Sequence, residues 1–149
     1  MIYKDKILRT GAFLFIFNRD FSKLLMVKRN EEKRNKYGFD WGAVGGKIEE
    51  GEGVIEGALR EAREEIGIDL KPSQLKFLHH EHMKKYDEEH PGFIHYSFFY
   101  SVILDESAKI TINDEADGFC WFPVNELPKS IIDGERIDRI VEQAKRKPF

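Results

Sequence analysis

The sequence predicts an α/β fold in a single domain over residues 1–149, a mixed β-sheet with helices packed on it. Three observations carry that expectation. Phe93 to Leu104 alternates, so Ile94, Tyr96, Phe98, Tyr100, Val102 and Leu104 share one face at the two-residue period of a strand. Val54 to Ile66 instead sets Ile55, Ala58, Leu59, Ala62 and Ile66 on one stripe at helical spacing. The remaining strand-like segments fall mostly before or after the two helical ones, with no repeat, low-complexity tract or linker.

The elements follow in order. Gly11 to Phe17 is apolar and reads as a buried strand. Asn18 to Lys23 is turn-like, and Leu24 to Lys28 is a second strand, so the pair is expected to form a hairpin. Asn30 to Lys36 reads as a charged loop. Trp41 to Ile48 carries Gly42, Gly45 and Gly46, where backbone must bend or approach something closely. Helix Val54–Ile66 is followed by Gly67, which suits a helix end. Leu75 to Met83, Phe93 to Leu104 and Phe119 to Val124 read as strands. Glu135 to Lys145 closes the chain as a helix with Ile137, Ile140, Val141 and Ala144 inward.

Composition narrows the function. The chain has 149 residues, enough for a real core, and 12 Phe to fill it. A net charge of -3 argues against a nucleic-acid polymer as partner, which needs a basic face. It does not exclude a phosphorylated small molecule, because a metal reverses the local charge. No apolar run approaches the roughly 20 residues of a membrane span. The N-terminus has no signal-peptide layout, and Cys120 alone cannot form an intrachain disulfide, so a cytoplasmic setting is expected. A homodimer is left open.

Glu61, Glu64 and Glu65 stand at i, i+3 and i+4 and share a helix face, set roughly 120° from the apolar stripe. Like charges at this spacing repel by roughly 0.2–0.5 kcal/mol per pair, so a compensating hard cation, Mg²⁺ or Mn²⁺, is the natural expectation. Three glutamates alone are more often a solvated face, laced here by Arg60 and Arg63. The wider pattern changes this. Gly46, Glu52, Arg60, Glu61, Ala62, Glu64, Glu65, Gly67 and Ile68 resemble the signature of the Nudix hydrolase family. Its seven fixed identities would arise by chance in about one chain per million of this length. Ala62 is smaller than the usual branched aliphatic residue, and Val44 stands where a proline is frequent. Trp41 and Gly45 also resemble the family.

That resemblance implies an α/β/α sandwich with a central catalytic helix and a C-terminal helix. It further implies hydrolysis of a nucleoside diphosphate linked to another group. Carried over by position, Glu61, Glu64 and Glu65 are implied metal ligands, with the Gly45 carbonyl completing the shell. Glycine at 45 would leave room for a metal-bound phosphate, and Gly46 is a candidate substrate contact. Glu52 is implied as a further ligand or as the partner of Arg60. The implied general base is Glu61 or a carboxylate from a later loop, for which Glu115 is the candidate. Arg29 and Lys47 are candidate phosphate contacts, each also readable as surface charge.

The substrate is less constrained. Cys120 to Pro128 resembles the corresponding region of MutT-like nucleoside triphosphate pyrophosphohydrolases, with Asn125 or Asp133 as candidate base-reading groups. Tyr86 stands near where some dinucleoside-polyphosphate hydrolases carry a tyrosine. Met83 and Lys84 occupy the positions where ADP-ribose hydrolases often have proline. The expected order is nucleoside triphosphate, then dinucleoside polyphosphate, then ADP-ribose or nucleotide sugar. A non-catalytic nucleotide sensor is the alternative of another class, and the surviving glutamates count against it. His79, His80 and His82 lack an obvious third zinc ligand and read as a polar strand face.

Overall fold

The computed structural model describes residues 7–85, 93–128 and 134–146. Tyr86 and Asp133, and the side chains of His82 and Ile94, lie outside the described residues. The elements are β1 (Ile7–Phe17), β2 (Lys23–Arg29), α1 (Glu31–Tyr37), β3 (Trp41–Gly42), β4 (Val44–Lys47) and α2 (Val54–Ile66). A short 3-10 turn, Pro72–Gln74, leads to β5 (Lys76–Lys85), β6 (Phe93–Ile103), β7 (Ala116–Pro123) and α3 (Gly134–Arg146).

The sheet is mixed, as expected. Its strands run β3-β2-β1-β6-β5, with β4 paired to β1 and β7 paired to β2. β1 lies parallel to β6 along its whole length, Ile7 opposite Phe93 and Phe17 opposite Ile103. Its other edge is divided. Antiparallel β4 takes Gly11 to Leu14, and β2 meets β1 at Phe17 and Leu24. The expected β1–β2 hairpin is therefore confined to its mouth. Because β4 occupies the β1 edge, β2 splays away and finds its long antiparallel partner in β7, from Lys23–Pro123 to Arg29–Ala116.

Alternation along β1 sends its two faces into two cores. Leu14 and Ile16 pack with Val44, Ala58, Ala62 and Ile66 on the α2 side. Phe15 and Phe17 pack with Ile137, Ile140, Val141 and Ala144 on the α3 side. The result is a helix–sheet–helix sandwich. All four residues expected to face inward on the last helix are buried, and Gln143 anchors it by donating to the Leu78 carbonyl at 2.8 Å.

Two further expectations are corrected. The segment expected as a charged loop forms α1. Asn30 caps it, its side chain accepting from the Lys33 N–H, and Gly38 ends it in the left-handed region at φ 79. Glu31 and Glu32 in the first turn and Arg34 and Lys36 in the last suit the helix dipole, so polar composition concealed a well-capped helix. The second correction concerns α2. Ile55 is exposed, and Gly57 is buried beside Ala58, Ala62 and Ile66. The helix is turned so that small residues face β4, which brings its acidic edge down onto the sheet.

Candidate active site

Two glycines of β4 set the site. Gly45 sits at φ 149, and a Cβ there would come within 2.2 Å of the Ala12 carbonyl oxygen and 2.7 Å of the Phe13 Cα. Room for a bound phosphate was the expected reason for this glycine. The structure gives a different one, the close approach of β4 to the β1 backbone. Gly45→Ala is accordingly expected to destabilise the protein by at least about 3 kcal/mol, since both the dihedral and the backbone contact are violated. Denaturant unfolding measures it, and a loss under 1 kcal/mol would refute the packing argument. At Gly46 the space of a Cβ is taken by the Glu61 carboxylate, whose Oε1 would lie 2.9 Å away.

Glu65 lies one helical turn beyond Glu61, and its Oε2 accepts the Gly45 N–H at 2.9 Å. Both carboxylates therefore lie on the β4 backbone rather than along a solvated helix edge. Their electrostatics follow from that position. Burial pushes the Glu65 carboxyl up to about 8, with Glu61 adding to the rise. The Gly45 N–H and the charges of Lys33 and Arg29 pull it the other way. Burial also raises the Glu61 carboxyl, opposed by Arg60 and assisted by Glu64 and Glu115. Glu64 shares the face but stays half-exposed.

Arg60 organises the loop before the helix. Its Nε and one terminal nitrogen grip Glu52 in a bidentate pair at 2.8 and 3.1 Å, and that nitrogen also donates to the Lys47 carbonyl at 3.0 Å. The other terminal nitrogen reaches Glu61 and Glu64, each at 3.0 Å. The Arg60 hydrogen bond holds the Glu52 carboxyl below the usual range, helped by the Glu49 N–H. Gly57 makes room for this, since a Cβ there would meet Glu52 Oε1 and Ile48 Cδ1.

A NUDIX domain profile matches residues 7–143. The chain belongs to the Nudix family. The Nudix chain is 31% identical over 77 residues to the dihydroneopterin triphosphate diphosphatase of Escherichia coli (strain K12), covering 50% of this chain and 48% of that protein. It thus matches about half the length of that curated relative. Its fold is similar to a MutT NUDIX hydrolase from Burkholderia pseudomallei, with TM-score 0.69 and 24% identity over 93% of this chain and 99% of that one. It is likewise similar to the E. coli dihydroneopterin triphosphate pyrophosphohydrolase, with TM-score 0.69 and 19% identity over 93% and 97% of the two chains.

Within this Nudix frame the expected residues separate. Glu52, Arg60, Glu61, Glu64, Glu65, Gly45 and Gly46 come together where α2 meets β4. Arg29 ends β2, its guanidinium 4.4 Å over the Phe39 ring, near enough to Glu65 to act on it electrostatically. Lys47 contributes its carbonyl to Arg60, while its side chain is exposed. Glu115 lies in the approach to β7, paired with Lys33 at 3.0 Å. Lys33 escaped the sequence reading because α1 did. The capping Asn30 and Gly38 were the signal that could have placed it. His79 stacks on Phe99 and His80 on Tyr96, and no group of three His, Cys, Asp or Glu among the described residues forms a ready metal cage. Among the described residues no helix is long and apolar enough to cross a membrane.

Proposed function

We propose that this chain is a metal-dependent pyrophosphohydrolase that cleaves a nucleoside triphosphate, or a triphosphate of a related heteroaromatic nucleoside, to the monophosphate and pyrophosphate. The observation that carries the reading is the pair Glu61 and Glu65. Two carboxyls are half-buried against β4 with their affinity for protons raised, and a hard cation would take the place of those protons. The donors are carboxylate oxygens, which suit Mg²⁺ or Mn²⁺. Glu61, Glu64 and Glu65 would hold the metal with the Gly45 carbonyl. Arg60 competes with a cation for Glu61 and Glu64, while its bidentate grip on Glu52 would keep the loop in place.

Bound metal supplies charge neutralisation at the phosphate oxygens and a water of lowered pKa. This chain's residues do the rest. The α2–β4 junction holds the carboxylates in one orientation. Arg29 would neutralise an outer phosphate. Glu61 or Glu115 accepts the proton of the attacking water. The triphosphate preference is supported by the name of the E. coli relative, which acts on dihydroneopterin triphosphate.

A Mg²⁺-supported hydrolysis screen with product identification tests the reading. Its panel is nucleoside triphosphates, dihydroneopterin triphosphate, dinucleoside polyphosphates, ADP-ribose and nucleotide sugars. At least one triphosphate is expected to exceed every dinucleoside polyphosphate in kcat/KM, with pyrophosphate as product. A tenfold preference for a dinucleoside polyphosphate would overturn the substrate class. Orthophosphate as first product would overturn the reaction.

A further inference from the structure

Arg60 stands between two sets of carboxylates. Its Nε and Nη2 hold Glu52 at 2.8 and 3.1 Å, and Nη2 also donates to the Lys47 carbonyl at 3.0 Å. Its Nη1 donates to Glu61 and Glu64, each at 3.0 Å. The same Nη1 lies 3.8 Å from Glu49 Oε1, too far for a hydrogen bond. The Arg60 side chain is 16% exposed and that of Glu49 is 68% exposed.

Glu49 is held by its backbone. Its N–H donates to Glu52 Oε1 at 3.0 Å, and its carbonyl accepts the Glu52 N–H at 3.1 Å. Its side chain instead lines an open cleft of about 410 Å³ with Thr10, Lys47 and Val54. A movement of roughly 1 Å would bring its carboxylate to charge-assisted hydrogen-bond distance from Arg60.

The need for that movement follows from the two carboxylates Nη1 now holds. Glu61 and Glu64 are the residues proposed above to hold the metal. A guanidinium left on the same oxygens would repel a divalent cation at short range. Arg60 has no freedom to withdraw, because Glu52 and the Lys47 carbonyl keep its other two nitrogens in place. Its Nη1 must therefore change acceptor where it stands, since a partly buried guanidinium N–H without one is costly. Glu49 is a carboxylate already within reach.

We propose that Glu49 is a positioning residue that receives the Arg60 Nη1 when Glu61 and Glu64 turn to a metal ion, and so sets the affinity of the cluster for that ion. This deepens the function proposed above and rests on it for the identity of the metal ligands. In the metal-free protein the long, exposed Glu49–Arg60 pair contributes little.

The test is binding of Mn²⁺ without substrate, followed by the electron paramagnetic resonance signal of the free ion. The proteins are the wild type, Glu49→Gln, Glu49→Asp and Glu50→Gln. Glu49→Gln is expected to weaken binding about fivefold, because the displaced nitrogen loses its charged acceptor. Glu49→Asp keeps the charge but is one methylene short, and is expected to weaken binding at least about threefold. Glu50→Gln removes an equal charge from the next exposed residue and is expected to change binding less than about twofold. In EDTA the melting temperature of Glu49→Gln should match the wild type, while its gain on adding Mn²⁺ should be smaller.

A loss under threefold in Glu49→Gln would overturn the proposal. So would a Glu50→Gln loss as large as that of Glu49→Gln, or a Glu49→Asp protein that binds like the wild type, since either makes the effect one of net charge. Lower melting of Glu49→Gln in EDTA would show a role in packing and overturn the exchange. A wild type that binds no Mn²⁺ at millimolar concentration sinks the metal reading itself. A wild type that binds equally with all three variants sinks only the exchange.

Discussion

Glu65→Gln and Glu64→Gln are each expected to lower kcat by more than tenfold at saturating Mg²⁺ while leaving the fold intact. Glutamine keeps the shape of the side chain and, at 65, an oxygen that still accepts the Gly45 N–H. What it removes is charge. A carboxylate ligand withdrawn from a cation weakens the stabilisation of the phosphate in the transition state. A tenfold loss corresponds to only about 1.4 kcal/mol of barrier, less than a lost anionic ligand should supply. Glu64 serves as the cleaner case for packing, since its side chain is half-exposed. Steady-state rates with circular dichroism as a fold control give the answer. If both variants keep more than a tenth of wild-type kcat, these glutamates do not hold the catalytic metal.

The second large effect is a pH dependence of stability that bound metal should flatten. In the metal-free folded protein the Glu65 carboxyl is raised to about 8, against an ordinary value of 4.5 that the unfolded chain would show. Between those values the folded state holds a proton that the unfolded state has released. Stability from this group is thus fully present below about 4.5 and is lost as pH rises through about 8. The raised Glu61 carboxyl adds to the same trend. Carboxyls held low, such as Glu52 and Glu106, act in the opposite sense but below about 4.5, outside this window. In EDTA the melting temperature should fall from pH 5.5 to 8.5 by roughly 10 °C, on the order expected for a few kcal/mol in a domain of this size. Glu65→Gln should flatten that slope and melt higher than the wild type at pH 8.5. Mg²⁺ replaces the proton, so the gain in melting temperature on adding it should grow with pH. An equal slope in the wild type and Glu65→Gln would show that another group carries the dependence.

Long, strongly patterned elements were legible in the sequence. Helix α2 runs from Val54 to Ile66 as its periodicity implied, and β6 starts at Phe93 as its alternation did. Local patterns could not show which strands meet. Gly11 to Phe17 reads the same whether its neighbour is β2 or β6, and the β4 glycines decide the matter by claiming one edge. Charge likewise hid α1, where capping rather than apolar spacing makes the helix. In the site, i, i+3, i+4 spacing placed the three glutamates on one face, but their environment came from tertiary packing. A helix with Gly57, Ala58 and Ala62 toward β4 sits close enough to bury Glu61 and Glu65. The bond from the Gly45 N–H to Glu65 and the pair between Lys33 and Glu115 join elements far apart in the chain, which no local signal reports.

The long β1–β6 pairing has a consequence for how the chain comes off the ribosome. Every partner in that ladder lies 86 residues downstream, from Ile7 opposite Phe93 to Phe17 opposite Ile103. At roughly 5–20 residues per second, the apolar stretch from Ala12 to Phe17 would wait several seconds for the strand that completes it. In that interval β4 is the sole neighbour for its Gly11–Leu14 edge already synthesised, and the opposite edge stays open to any passing strand. Loop closure over so long a separation also slows the final pairing, because its entropy must be lost before the contacts form. The centre of the sheet is thus the part of the molecule assembled late, and nascent chains shorter than about Ile103 carry its most aggregation-prone segment unprotected.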